Sequence, residues 1–252
     1  MSLKDKTIVV TGGSRGLGLG LVEALVDQGA KVTVVARDRA ALAAVERRLG
    51  VATIAADVTD ETAAHRIVAE VGPDILVLNA GATPRMGRLD ELSWADFTAI
   101  WDTDVKAGLY WLQAALNLPL KPGSRVLMGS SGAAENGSPL SGGYAGAKRM
   151  LWFMTKYANG VAKQKNLGMR FQAIVPQQII VDTGVGDAGA AAYARAAGIE
   201  RAAFLARFGT PMPPRQFGDK VVSVLDEPEY AEGVVFGLKG DTGITVLEGA
   251  AA

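Results

Sequence analysis

The sequence contains no cysteine and a single histidine, His65. The first absence excludes disulfides, thiolate metal sites and cysteine nucleophiles together. The second leaves too little imidazole for a zinc-dependent centre or a serine hydrolase triad, so no metal is expected. His65 itself stands in the polar stretch Asp60-Glu-Thr-Ala-Ala-His-Arg66, which reads as an exposed helix position. An excess of either charge is also lacking. The 26 Lys and Arg balance 26 Asp and Glu, and no basic field points to nucleic acid. No apolar run reaches the roughly 18 residues needed to cross a bilayer, and no basic-then-apolar leader pattern opens the chain. The expectation is a cytoplasmic protein with neither a nucleic-acid nor a membrane partner.

What is present is apolar sequence in short, regularly spaced runs. Nearly half of the 252 residues are hydrophobic, enough for a core covered on both faces. Residues 8–10, 31–35, 51–55, 74–78, 124–128, 169–175 and 233–236 read as buried strands. Their near-continuous hydrophobicity fits parallel strands covered on both sides. Helical segments fall between them at 17–28, 39–49, 62–71, 93–117 and 141–164. The alternation predicts an α/β, doubly wound, Rossmann-type parallel sheet of about seven strands with helices on both faces. Ligands would bind outside the carboxyl ends of the strands. No linker or repeat interrupts the chain, so residues 1–252 are expected to form one domain. The Ala/Gly-rich stretch 184–208 breaks the rhythm and reads either as a lid over the crevice or as a surface helix with no gating role.

Four glycines lie where the first strand meets the first helix, in Thr11-Gly-Gly-Ser-Arg-Gly-Leu-Gly18. Glycine there lets the backbone turn tightly and bring helix-start N–H groups close to a pyrophosphate. Further along stand Asp57-Val58, Asn79-Ala80-Gly81, Ser131, and Tyr144 with Lys148 four residues on. In this order, and on these elements, the motifs resemble those of the short-chain dehydrogenase/reductase family. Gly12, Gly16 and Gly18 match its T-G-x-x-x-G-x-G turn, and Ser131, Tyr144 and Lys148 match its catalytic serine and Y-x-x-x-K pair.

The resemblance implies a dinucleotide held by Gly12, Ser14, Arg15, Gly16, Leu17 and Gly18. Asp57 and Val58 would lie at the adenine, and Asn79, Ala80 and Gly81 along the cofactor, with Tyr144 and Lys148 near its nicotinamide end. Where family members that use NAD carry an acid at the end of the second strand, this chain has Ala36, followed by Arg37. Arg15 and Arg37 near one ribose would hold a 2′-phosphate by charge-assisted bonds. They favour NADP(H), with NAD(H) left open. Asp38 reads as the cap of the following helix.

Residues four apart share a helix face, so Tyr144 and Lys148 point to one side. A phenol ionises near pH 10, and an adjacent ammonium favours the phenolate. The family mechanism implies that tyrosine moves the proton of a carbonyl/alcohol pair while Ser131 holds the substrate oxygen and Lys148 the nicotinamide ribose. Two positions depart from the pattern. Asp104 stands where many relatives have a catalytic asparagine, placing a negative charge close to Lys148. After the sixth strand Pro176 is kept, but Gln177 replaces a glycine. Ile179 is then the backbone contact expected for the carboxamide, and Thr183 matches a family threonine only with a two-residue shift.

The substrate class implied is a small-molecule carbonyl or secondary alcohol. Apolar surfaces on the two long helices imply a homotetramer or homodimer, as in the family. The C-terminal stretch resembles the family's last strand, with Ala250 where a second glycine is frequent. A competing reading, a nucleotide-sensing or scaffold protein on the same fold, rests on Asp104 and Gln177.

Overall fold

The computed structural model describes residues 2–249. Met1 and residues 250–252, with the Ala250 position noted above, lie outside the described residues. Strand β1 (Thr7–Thr11) places Ile8 and Val10 in one apolar cluster and Val9 in the other. Side chains alternate across a strand, so a run that is apolar at every position needs cover on both faces. Helices α1 (Gly16–Asp27), α2 (Arg39–Leu49) and α10 (Pro214–Asp226) cover the first face. Helices α3 (Glu61–Val71), α5 (Lys106–Asn117) and α7 (Tyr144–Gln164) cover the second. Fully burying one Leu or Ile of these faces contributes about 1.5–3 kcal/mol.

The remaining parallel strands are β2 (Lys31–Ala36), β3 (Ala52–Ala55), β4 (Ile75–Leu78), β5 (Arg125–Gly129), β6 (Arg170–Pro176) and β7 (Gly233–Lys239). Strand β8 (Gly243–Gly249) closes the sheet antiparallel to β7. The order is β3-β2-β1-β4-β5-β6-β7-β8, so chain direction along the sheet reverses between β1 and β4. That reversal opens a crevice at the carboxyl ends of the strands.

The fold is the expected single-domain Rossmann-type arrangement, with one correction to its count. Eight strands are present among the described residues, not about seven. β8 is an edge strand whose side chains are partly or fully exposed. It therefore lacks the continuous apolar run that marks the buried strands.

The helices differ from expectation in detail. The segment expected as one helix over 93–117 is α4 (Trp94–Ile100), a π-helical turn (Trp101–Val105) and α5 in succession. The helix expected from 141 begins at Tyr144. Residues 184–208 form α8 (Gly184–Ala196), α9 (Arg201–Leu205) and a 3-10 turn (Ala206–Phe208). A four-residue helix, α6 (Ala133–Asn136), follows β5. His65 lies on α3 but is half-buried rather than exposed, because it sits beside the inward face formed by Ala64 and Ile67. No helix of the described residues is long and apolar enough to cross a membrane.

Candidate active site

A cavity of about 1050 Å³ lies over the carboxyl ends of β1, β4, β5 and β6. Every residue assigned to the site from the sequence borders it, from the glycine turn through Asp57, Asn79 and Asp104 to Ser131, Tyr144, Lys148 and Ile179.

The floor is the turn between β1 and α1. Gly12 and Gly16 have φ of 69° and 52°, the left-handed region that favours glycine. A Cβ at Gly18 would lie 2.2 Å from the Gly12 carbonyl oxygen, so the turn closes only without a side chain there. Asp38 and Asp60 cap α2 and α3 with their carboxylates, whereas Arg15 at the start of α1 makes no side-chain cap bond. The first N–H groups of α1 therefore have no side-chain cap, the arrangement that suits an anion.

Thr11, which sequence reasoning left without a role, braces this floor. Its hydroxyl donates to the Val77 carbonyl at 3.3 Å and accepts the N–H groups of Asn79 and Ala80, both at 3.1 Å. The Asn79 amide donates back to the carbonyls of Thr11 and Gly12, at 3.4 and 3.5 Å. The two loops that frame the crevice, after β1 and after β4, are thus joined to each other.

At one end of the cavity, Ala36, Arg37, Asp38 and Asp57 meet. Asp38 accepts the N–H groups of Ala40 and Ala41 at 2.9 and 3.0 Å, as the cap reading requires. Asp57 accepts the N–H and hydroxyl of Thr59 at 2.9 and 2.8 Å. Those bonds, the backbone one foremost, hold its carboxyl below the usual aspartate range, with Arg37 and Lys106 adding to the effect. The Val58 carbonyl accepts the indole N–H of Trp111 at 3.1 Å, which fixes the loop that carries Asp57.

At the other end, α7 begins with Tyr144, and Lys148 follows one turn later on the same face. Lys148 Nζ lies 5.7 Å from the Tyr144 ring centroid and 2.9 Å from Asp104 Oδ2. Burial alone pulls the ammonium down. The charge of Asp104, the phenol of Tyr144 and the hydrogen bond to Asp104 outweigh it, and Lys148 is held above the ordinary lysine range. Ser131 accepts the Ala133 N–H at 3.3 Å, and its neighbour Ser130 donates to the Lys148 carbonyl at 2.9 Å, tying β5 to α7.

The roof is formed by the loop after β6 and by residues 184–208. Pro176 accepts the Gly132 N–H through its carbonyl at 2.8 Å. Gln177 donates to both Glu135 oxygens, at 2.9 and 3.0 Å, a pairing across 42 residues that no local pattern announces. Ile179 turns its side chain toward the α8–α9 apolar cluster. Thr183 caps α8 by accepting the Gly186 N–H at 3.0 Å, and its methyl carbon would lie 3.5 Å from a Cβ at Gly16. It is the threonine that matched only with a two-residue shift. The Tyr193 hydroxyl, unremarked in the sequence, reaches from α8 to Ser138 Oγ at 2.9 Å.

A sequence-family model described as short chain dehydrogenase matches residues 6–188. The chain is 35% identical over 182 residues to an NADPH-dependent pterin aldehyde reductase of Arabidopsis thaliana, covering 68% of this chain and 74% of that protein. It is 34% identical over 152 residues to the short chain dehydrogenase/reductase AacuD of Aspergillus aculeatus, where the match spans 57% of this chain and 54% of that one. It is 31% identical over 180 residues to an L-fucose dehydrogenase of Rattus norvegicus, with 69% and 66% covered. A solved structure titled short chain dehydrogenase/reductase family protein superimposes with a TM-score of 0.73 at 22% identity, over 94% of this chain and 96% of that one.

Proposed function

The chain belongs to the short-chain dehydrogenase/reductase family, and on that footing we propose that it is an NADP(H)-dependent oxidoreductase that interconverts a carbonyl and a secondary alcohol. The observation that carries the reading is the wall formed by Tyr144 and Lys148, one helical turn apart on the cavity, with the ammonium 2.9 Å from the Asp104 carboxylate.

The residues present fit a dinucleotide. The absence of a side chain at Gly18 lets the turn close against the Gly12 carbonyl and Asn79 beside the cavity, and the start of α1 lacks a side-chain cap. Gly12, Ser14, Arg15, Gly16, Leu17 and Gly18 would hold the pyrophosphate, and Asp57 and Val58 the adenine. Asn79, Ala80, Gly81, Pro176 and Ile179 would line the nicotinamide half. A reduced nicotinamide held there would supply the hydride that a carbonyl carbon accepts. Tyr144 then gives its phenolic proton to the carbonyl oxygen, and in the reverse direction removes it from the alcohol. Ser131 donates a hydrogen bond to the same oxygen and keeps it within reach. Lys148 would bind the ribose hydroxyls and favour the phenolate through its charge.

NADP(H) is favoured over NAD(H) by Arg37 and Arg15, both exposed at the adenosine end, and by the uncharged Ala36. The similarity to the plant NADPH-dependent reductase supports the same choice. Residues 184–208 are a lid in this reading, supported by the bond from Tyr193 to Ser138 on the opposite wall. A second copy of the chain would cover Leu109 and Tyr157, which stand 44% and 61% exposed on α5 and α7, giving a homodimer or homotetramer.

Thermal unfolding with each nucleotide tests the reading. A ligand at a hundred times its Kd stabilises by about 2.7 kcal/mol. NADPH is expected to protect more than NADH at equal concentration. Equal or greater protection by NADH overturns the cofactor choice, and protection by neither overturns the nucleotide site.

A further inference from the structure

The position most at odds with the family pattern, Asp104, makes the most direct contact in the site. Its side chain has no solvent exposure, and that of Lys148 is 9% exposed. One carboxylate oxygen, Oδ1, accepts the Ala82 N–H at 2.8 Å and the Thr103 hydroxyl at 3.1 Å. The other, Oδ2, faces the Lys148 ammonium at 2.9 Å. Donors thus stand on both sides of the group. A carboxylate meets the donors on one side by hydrogen bonds and the ammonium on the other as an ion pair, whereas an asparagine amide is uncharged, has one acceptor and must turn its NH₂ toward a donor.

The surroundings fit the same demand. A Cβ at Gly81 would lie 2.8 Å from Asp104 Oδ2, so the side chain missing from the Asn79-Ala-Gly81 turn leaves the carboxylate its place. The π-helical turn Trp101–Val105 carries Asp104 inward, while Asp102 and Lys106 on the same stretch stay exposed.

We propose that Asp104 is a positioning residue, which by direct contact keeps Lys148 charged and fixed beside Tyr144, so that the lysine keeps hold of its ligand at alkaline pH. The ligand half of this statement rests on the proposed function; the hold of Asp104 on Lys148 does not. The titratable groups acting on the ammonium are Asp104 from the π turn and Tyr144 from α7 itself. The loops 79–82 and 129–132 bring no ionisable side chain, and Asp182 across the cavity is exposed. Remove the carboxylate and burial, the largest influence on Lys148, is opposed only by Tyr144 and by the Gly129 carbonyl, which accepts from Nζ at 3.5 Å. An ammonium that has lost its partner charge in such a place sheds its proton at lower pH.

Two measurements on the wild type, Asp104→Asn and the double variant Asp104→Asn/Lys148→Met test this. The first is urea unfolding of the nucleotide-free proteins as a function of pH. In Asp104→Asn the folded state disfavours the charged lysine. The stability gap to wild type is then full near neutrality, begins to close as pH rises through the lowered lysine value, and goes on closing until pH passes the raised value of the wild type. The double variant, with no lysine to strand, is expected to recover much of the loss and to show no such closing. A gap that is the same at every pH, or that persists undiminished in the double variant, overturns the proposal. Should Asp104→Asn alone fail to fold, folding of the double variant supports the ion pair, and failure of both counts against it.

The second is NADPH affinity against pH, read by nicotinamide fluorescence. The alkaline loss of binding is expected about one to two pH units earlier in Asp104→Asn than in wild type. An unchanged profile contradicts the positioning role. Absence of NADPH binding in all three proteins, with the unfolding result as expected, contradicts the proposed function while supporting the hold of Asp104 on Lys148.

Discussion

Arg37 Nη1 lies 3.8 Å from Asp57 Oδ2, so the arginine that follows β2 and the acid that follows β3 share one end of the cavity, the end proposed for the adenosine. Both side chains are largely exposed, and in water such a pair contributes little to stability. Its consequence is placement: Asp57 draws the guanidinium over the end of β2, where a 2′-phosphate would sit. Arg37→Ala is expected to weaken NADPH binding about tenfold, the equivalent of one charge-assisted bond, and to leave NADH binding nearly unchanged. Fluorescence titration with both nucleotides checks this, and the difference is expected to shrink as salt is added.

Gly18→Ala places a methyl group 2.2 Å from the Gly12 carbonyl oxygen, and backbone, not a flexible side chain, must move to admit it. Overpacking of this kind costs about 1–3 kcal/mol, which urea unfolding reads directly. The displaced turn is also expected to abolish thermal protection by NADPH. Gly160→Ala, on α7 with nothing within 4 Å of its new methyl, is the matched control and is expected to be neutral or slightly stabilising.

The Tyr193 hydroxyl joins α8 to the opposite wall through Ser138, and it also accepts the Leu140 N–H at 3.2 Å. Tyr193→Phe keeps the ring stacked on Phe204 and removes only these bonds. If residues 184–208 act as a lid, the variant opens faster. The expected result is a raised KM for substrate, with thermal stability lowered by no more than about 1 kcal/mol. An unchanged KM argues for a surface helix without a gating role.

Asp74 sits at the opposite, amino-terminal edge of the sheet. It accepts the Thr7 N–H at 2.8 Å and pairs with Lys121 at 2.6 Å. Burial raises its carboxyl, but the bonds to Lys121 and Thr7 and the charges of Lys121 and Lys6 outweigh it, and the net shift is downward. A carboxyl lowered on folding stabilises the protein above its unfolded value of about 3.9, and that contribution disappears as pH falls through the folded value. Asp74→Asn is therefore expected to lose about 1 kcal/mol near neutrality and to converge with wild type in acid. Urea midpoints across an acid pH series measure both limbs.

How much of this could be read from residue order depends on how local the cause is. The strand of Ile8, Val9 and Val10 is legible because burial on both faces demands an apolar residue at every position. The glycine turn is legible because a positive φ and a close backbone approach leave few alternatives to glycine. β8 escapes a count based on apolar runs because only one of its edges is paired and its side chains meet solvent. The π turn has no signature of its own, since Trp101-Asp-Thr-Asp-Val105 also suits a regular helix. Its effect on the aim of Asp104 emerges only when α7 and the β4 loop pack around it. Arg37 with Asp57, Gln177 with Glu135 and Tyr193 with Ser138 all meet across long stretches of chain. Sequence can supply the candidates for such pairs but not the pairing.

In the proposed nicotinamide-dependent reaction the Tyr144 phenol moves the proton. The most direct test of that role is the rate of NADPH consumption over a panel of ketones and aldehydes, by wild type and Tyr144→Phe, with NADPH affinity measured on both. Turnover by the wild type is expected on at least one carbonyl, with a loss of at least about a hundredfold in kcat for the variant and comparable NADPH affinity in the two proteins. Undiminished turnover by Tyr144→Phe on the same carbonyl would contradict it.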